Sequence, residues 1–122
     1  MLPPTFGVDV LILQASAGMA FDTKDYDGFV VVAKEIVAKG PDNHFSYATL
    51  ASAYACKYAV TSDMAFYEQS MAALDRARIM SGGDPSFKEY EQRILHRLNT
   101  REILSPQEFY RRFPNGWQQQ KE

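Results

Sequence analysis

"KDYDGFVVVAKEIVAKGPDN", Lys24 to Asn43, sets three valines in a row, as a strand would, between the start and stop signals of a helix. Tyr26, Phe29, Val30, Ala33, Ile36 and Val37 recur every three or four residues, which is a helical period; a half-buried strand would alternate. Asp25 stands where its carboxylate can accept a backbone N–H of the first turn. Lys39 complements the carbonyl end, and Gly40-Pro41 forbids continuation. The valines each cost a few tenths of a kilocalorie per mole in helix propensity, which burial of an apolar face can override. The stretch is predicted to be a helix.

The same punctuation continues in both directions. Upstream, Leu11, Gln14, Ala15, Gly18 and Phe21 fall at helical spacing, and Asp22 to Asp25 is a polar break. Downstream, Tyr47, Leu50, Ala51, Tyr54 and Tyr58 form one stripe, closed by Thr61-Ser62-Asp63. Tyr67, Met71, Leu74 and Ala77 mark a fourth helix ending near Ser81-Gly82-Gly83. Asp84-Pro85 restarts the chain with a cap and a proline in the first turn, ahead of Phe87, Tyr90, Ile94 and Leu98. In "LSPQEF", Ser105 and Glu108 have the spacing of a capping box, and Leu104 and Phe109 that of a hydrophobic staple. The pattern predicts six helices, no strand and an all-α fold.

The bulk properties agree with one folded domain. The 122 residues are 46% hydrophobic and 23% charged, values that disfavour disorder. A net charge of −2 disfavours a general nucleic-acid binder. The charge is uneven: residues 1–75 hold four basic and nine acidic side chains, residues 76–122 nine and six. Cys56 is the only cysteine, so neither an internal disulfide nor a paired-cysteine motif can form, and a reducing, cytoplasmic setting is expected. "VDVLILQASAGMAF", Val8 to Phe21, imitates a leader peptide, but no Lys or Arg precedes it and Asp9 interrupts its start. A spanning helix needs about 20 apolar residues, so a buried helix is expected and no membrane segment.

Side chains that could carry chemistry are sparse. His44 at a helix start reads as a solvated first-turn residue. His96 shares a polar face with Lys88 and Gln92 and reads as surface. Cys56 reads as a small, half-buried residue and not as a nucleophile, since no histidine lies nearby in sequence. Asp22, Asp25 and Asp27 lack the glycine and distal glutamate of a calcium loop, and there is no glycine-rich phosphate loop. A non-enzyme without cofactor or metal is expected. Arg93, Arg97 and Arg101 recur every four residues, with Arg111-Arg112 following; a solvated basic face is the simpler reading and a site for an acidic partner the sharper one.

Tyr47-x-x-Leu50-Ala51-x-x-Tyr54 resembles the tetratricopeptide repeat signature W-x-x-L-G-x-x-Y, with tyrosine for tryptophan and alanine for glycine. Stepping 34 residues upstream places Leu13, Ser16, Ala17 and Ala20 at the same positions, and the closing proline falls on Pro41. The resemblance covers about residues 10–84 and has departures. Phe29 and Ala33 exchange the bulky and small positions, Tyr26 and Tyr67 stand 41 residues apart, and Gly82 replaces the second closing proline.

The resemblance implies helix hairpins stacked as a short right-handed superhelix in one domain, 1–113. Repeat 1 would span about 10–43, repeat 2 about 44–84 and capping helices about 85–113, with a flexible tail at 114–122 that carries Trp117. It implies close helix crossings at Ala17 and Ala51. It also implies a protein or peptide partner bound in a concave groove lined by the first helix of each unit. The residues at those places are Gln14, Gly18 and Phe21, then Thr49 and Ser52, then Lys88, Gln92 and His96. Gln14, Gly18 and Thr49 stand where chaperone-binding members begin their Lys, Asn and Arg clamp for a terminal carboxylate, so a neutral or apolar segment is the expected ligand. The alternative is a structural or self-association module, a homodimer or a piece of a longer array, joined through the apolar N-terminal helix.

Overall fold

The computed structural model describes residues 4–115, which form six α-helices and, among the described residues, no strand. They are α1 (Pro4–Asp22), α2 (Tyr26–Lys39), α3 (His44–Thr61), α4 (Met64–Ser81), α5 (Pro85–Thr100) and α6 (Pro106–Arg112). Trp117 and the end of the expected tail lie outside the described residues.

The helix boundaries follow the side chains that satisfy their free backbone groups. The Asp25 carboxylate accepts from the Gly28 N–H at 3.0 Å, and a Cβ on Gly28 would collide with that carboxylate. Asn43, Asp63 and Asp84 cap α3, α4 and α5 in the same way. Ser105 and Glu108 form the reciprocal capping box of α6, at 3.2 and 2.9 Å. Gly82 ends α4 at φ 60°, the left-handed conformation that glycine takes without a Cβ penalty.

The valine-rich α2 is helical because it buries Phe29, Ala33 and Ile36 along one face, leaving Val31 outside. These residues join Ala17 and Ala20 of α1 and Ala53 and Cys56 of α3 in one cluster. A second cluster joins Ala48, Ala51 and Ala55 of α3 with Ala73, Leu74 and Ala77 of α4 and Phe87, Ile94 and Leu98 of α5. Helix α3 belongs to both clusters and packs on α2, α4 and α5. Its Tyr47–Leu50–Tyr54 stripe is therefore only part of its buried surface. The run Ala51 to Cys56 is buried on every side.

Helices α3 and α4 approach closely enough for the buried Ser70 hydroxyl to donate to the Ala51 carbonyl at 2.7 Å. Ala51 itself has no exposed surface. Ala51→Trp should therefore lower stability by about 3 kcal/mol or more through overpacking. The same change at exposed Ala72 should stay within about 0.5 kcal/mol. Urea unfolding midpoints of the two variants check this, and equal midpoints would contradict the packing.

Candidate functional site

The small residues on α1 and α3 leave space where these helices face α5. A half-enclosed cavity of about 510 Å³ lies there. Helix α1 lines it with Gln14, Ala17, Gly18, Phe21 and Asp22, and α3 with Phe45, Thr49 and Ser52. Tyr90, Arg93, Ile94 and Arg97 line it from α5, Phe29 and Ile36 from α2, and Leu104 and Pro106 from the turn into α6. The volume falls within the range of small-molecule pockets, and the walls are mostly apolar.

Of the partner-binding residues expected from the sequence, Gln14, Gly18, Phe21, Thr49 and Ser52 line this cavity; Lys88, Gln92 and His96 do not. Lys88 is exposed and Gln92 half-buried. Ser52 is not an open groove position: it is buried and accepts a hydrogen bond from Arg97 Nη1 at 2.7 Å.

His96 is buried at 3% exposure, which corrects its reading as a surface residue. Its ring meets Phe109 and Phe113 at 5.7 and 5.3 Å, and Nε2 lies 3.0 Å from Glu102 Oε1. These partners come from the segment after α5, so periodicity within α5 could not reveal them. The Arg112 guanidinium hydrogen-bonds the same carboxylate. Together with the His96 contact it holds Glu102 below the usual glutamate range. The cluster fixes the turn into α6, and thereby Leu104 and Pro106, against the cavity.

The basic stripe is a solvated face only in part: Arg101 is exposed and Arg93 half-buried, but Arg97 points inward. Arg97 is buried at 4% exposure, with its guanidinium 5.3 Å from the Phe21 ring and Nη1 bonded to the Ser52 carbonyl and hydroxyl. Arg93 lies over the rings of Tyr90 and Tyr110 and donates to the Tyr110 hydroxyl at 2.8 Å, which donates to Glu89 at 3.2 Å. Arg101 ends α5 in the left-handed region at φ 60° and reaches the Ala59 carbonyl at 3.4 Å. A signal for Arg97 was present in the sequence: it falls three residues after Ile94 and seven after Tyr90, on the buried stripe.

His44 is likewise partnered, its Nε2 3.2 Å from Asp84 and its ring against Phe45 and Phe87. Cys56 is fully buried and not half-buried, and burial pushes its thiol up to about 11. Among the described residues no group of three or more His, Cys, Asp or Glu side chains could hold a metal, and no helix is long and apolar enough to cross a membrane. No protein-family model, curated protein or solved structure matches the chain.

Two outcomes follow from these environments. Cys56 should resist iodoacetamide at about pH 8 in the folded state and react once urea unfolds the chain, because the attacking species is the thiolate. Rapid native labelling would contradict its burial. Because Glu102 titrates lower in the folded state, its contribution is present above its ordinary value of 4.5 and is lost as pH falls below it. Glu102→Gln should therefore lower the melting temperature at neutral pH and flatten its decline in acid. An unchanged acid limb would contradict the pairing.

Proposed function

We propose that the chain is a non-enzymatic, cytoplasmic protein-interaction module that receives a segment of a partner in the cavity between α1, α3 and α5. The cavity supports this reading: its lining comes mainly from α1, α3 and α5, the helices that the repeat resemblance would turn toward a ligand, with Phe29 and Ile36 added from α2. The packing order, α1 on α2, α2 on α3, α3 on α4 and α5 on α3 and α4, supports this reading. Gly18 sits at the exposed edge of the cavity, and a Cβ there would meet nothing within 4 Å.

A second reading is favoured by the opposite face of α1. Ile12 and Met19, seven residues apart, share that face and are 60% and 68% exposed. An apolar strip of this kind suits a second copy of the chain or a neighbouring unit.

Random-peptide display against the folded chain separates the two. Cavity binding predicts selected peptides that shift the backbone amide resonances of Gly18, Thr49 and Ile94. It further predicts that they bind Gly18→Trp about tenfold more weakly or worse, with no loss of melting temperature. Peptides that bind Gly18→Trp equally well, or shift other amides, would overturn the groove. Self-association instead predicts a dimer in sedimentation that Ile12→Asp converts to a monomer. Leu13 is unsuitable for that test because it packs against the α1–α2–α3 core.

A further inference from the structure

Arg97 is a buried cation without a carboxylate partner among the described residues. An isolated charge out of water is costly, and protein interiors normally pair it. Here the neutral Ser52 hydroxyl and carbonyl take Nη1, the Phe21 ring lies over the guanidinium, and Nε, closed to water, has no hydrogen-bond partner among the described residues. The edge left unpaired, Nε with Nη2, is the edge that accepts a carboxylate side-on through two parallel N–H···O bonds. Arg97 lines the cavity, and so does Arg93, whose Nη1 is engaged by the Tyr110 hydroxyl. Among the described lining residues the one acidic side chain, Asp22, is exposed. The remaining surroundings are largely aromatic and aliphatic.

We propose that the cavity takes an apolar group bearing one carboxylate, with Arg97 pairing that carboxylate through its Nε–Nη2 edge. This rests on reading the cavity as the binding site and replaces the neutral ligand expected from the small groove residues. The same chemistry is offered by a free aliphatic acid and by an acidic side chain flanked by apolar ones on a partner segment.

The test uses the full chain labelled with nitrogen-15. Octanoate and the neutral octanamide are titrated in parallel, followed by a blocked leucine–glutamate–leucine tripeptide and its glutamine counterpart. Octanoate should shift the Arg97 Nε–H resonance and the amides of Gly18 and Thr49, with octanamide about tenfold weaker or worse, as loss of a charge-assisted hydrogen bond requires. Arg97→Lys, which keeps the charge without the fork, should remove most of that preference. If the variant unfolds, the acid–amide comparison on the wild-type chain still decides. A tripeptide that binds more tightly than octanoate, and more tightly than its glutamine counterpart, assigns the carboxylate to a partner segment; the reverse order assigns it to a free acid. Equal binding of octanoate and octanamide at the cavity overturns the carboxylate while leaving the cavity as a site. Octanoate shifts confined to Arg111 and Arg112 overturn it too. No shift at the cavity amides with any of the four compounds overturns the cavity reading as well.

Discussion

The rest of the structure depends on how close three helices can come to α3. Ala48, Ala51, Ala53, Ala55 and Cys56 are fully buried, and none has a side chain long enough to hold a neighbour at the usual distance. Helices α2, α4 and α5 can therefore all rest on it, and both core clusters draw on its surface. Leu50 touches both clusters and links them. Close approach also brings polar groups together: the buried Ser70 hydroxyl donates to the Ala51 carbonyl across the crossing.

The cavity is the complement of that packing. Where α3 presents Thr49 and Ser52 and α1 presents Ala17 and Gly18, the small side chains leave space that α5 meets with the cations Arg93 and Arg97. Arg97 is held across it by Ser52 from one helix and Phe21 from another. Helix α6 contributes indirectly. Its capping box and the His96–Glu102–Arg112 cluster fix the turn that brings Leu104 and Pro106 to the cavity wall.

The helix ends were legible in the sequence because caps are local. Asp25, Asn43, Asp63, Asp84 and Ser105 each act on a backbone group within a turn of themselves. The buried face of α2 was legible because its neighbours lie on one side only. The surroundings of α3 were not, since a helix packed from several directions loses the single-stripe pattern and Ala and Ser fit either inside or outside. The polar residues of α5 misled for a related reason. His96 and Arg97 are buried by partners from α6, α3 and α1, and local periodicity counts them as solvent-facing by type. The cavity was half legible: residues of its α1 and α3 walls were among those the repeat resemblance implied, while its cations, Arg93 and Arg97, belonged to a stripe read more simply as solvated.

Most close packing joins helices adjacent in the chain, while the Arg97–Ser52 bonds close a loop of 45 residues. Contact order is therefore low, apart from the return of α5 onto α3, and chains of this kind fold quickly from a local nucleus. The α3–α4 hairpin, with its short connection and buried crossing, is the natural nucleus, and α5 completes the second cluster by docking on it. Helix α1, whose close partner is α2 and whose outer face is exposed, stands at the margin of the cooperative unit. It is also a wall of the cavity, so its local opening would provide a way in, and a ligand bridging α1 and α5 would slow that opening. Ligand affinity and amide protection of α1 would then rise together as one linked quantity.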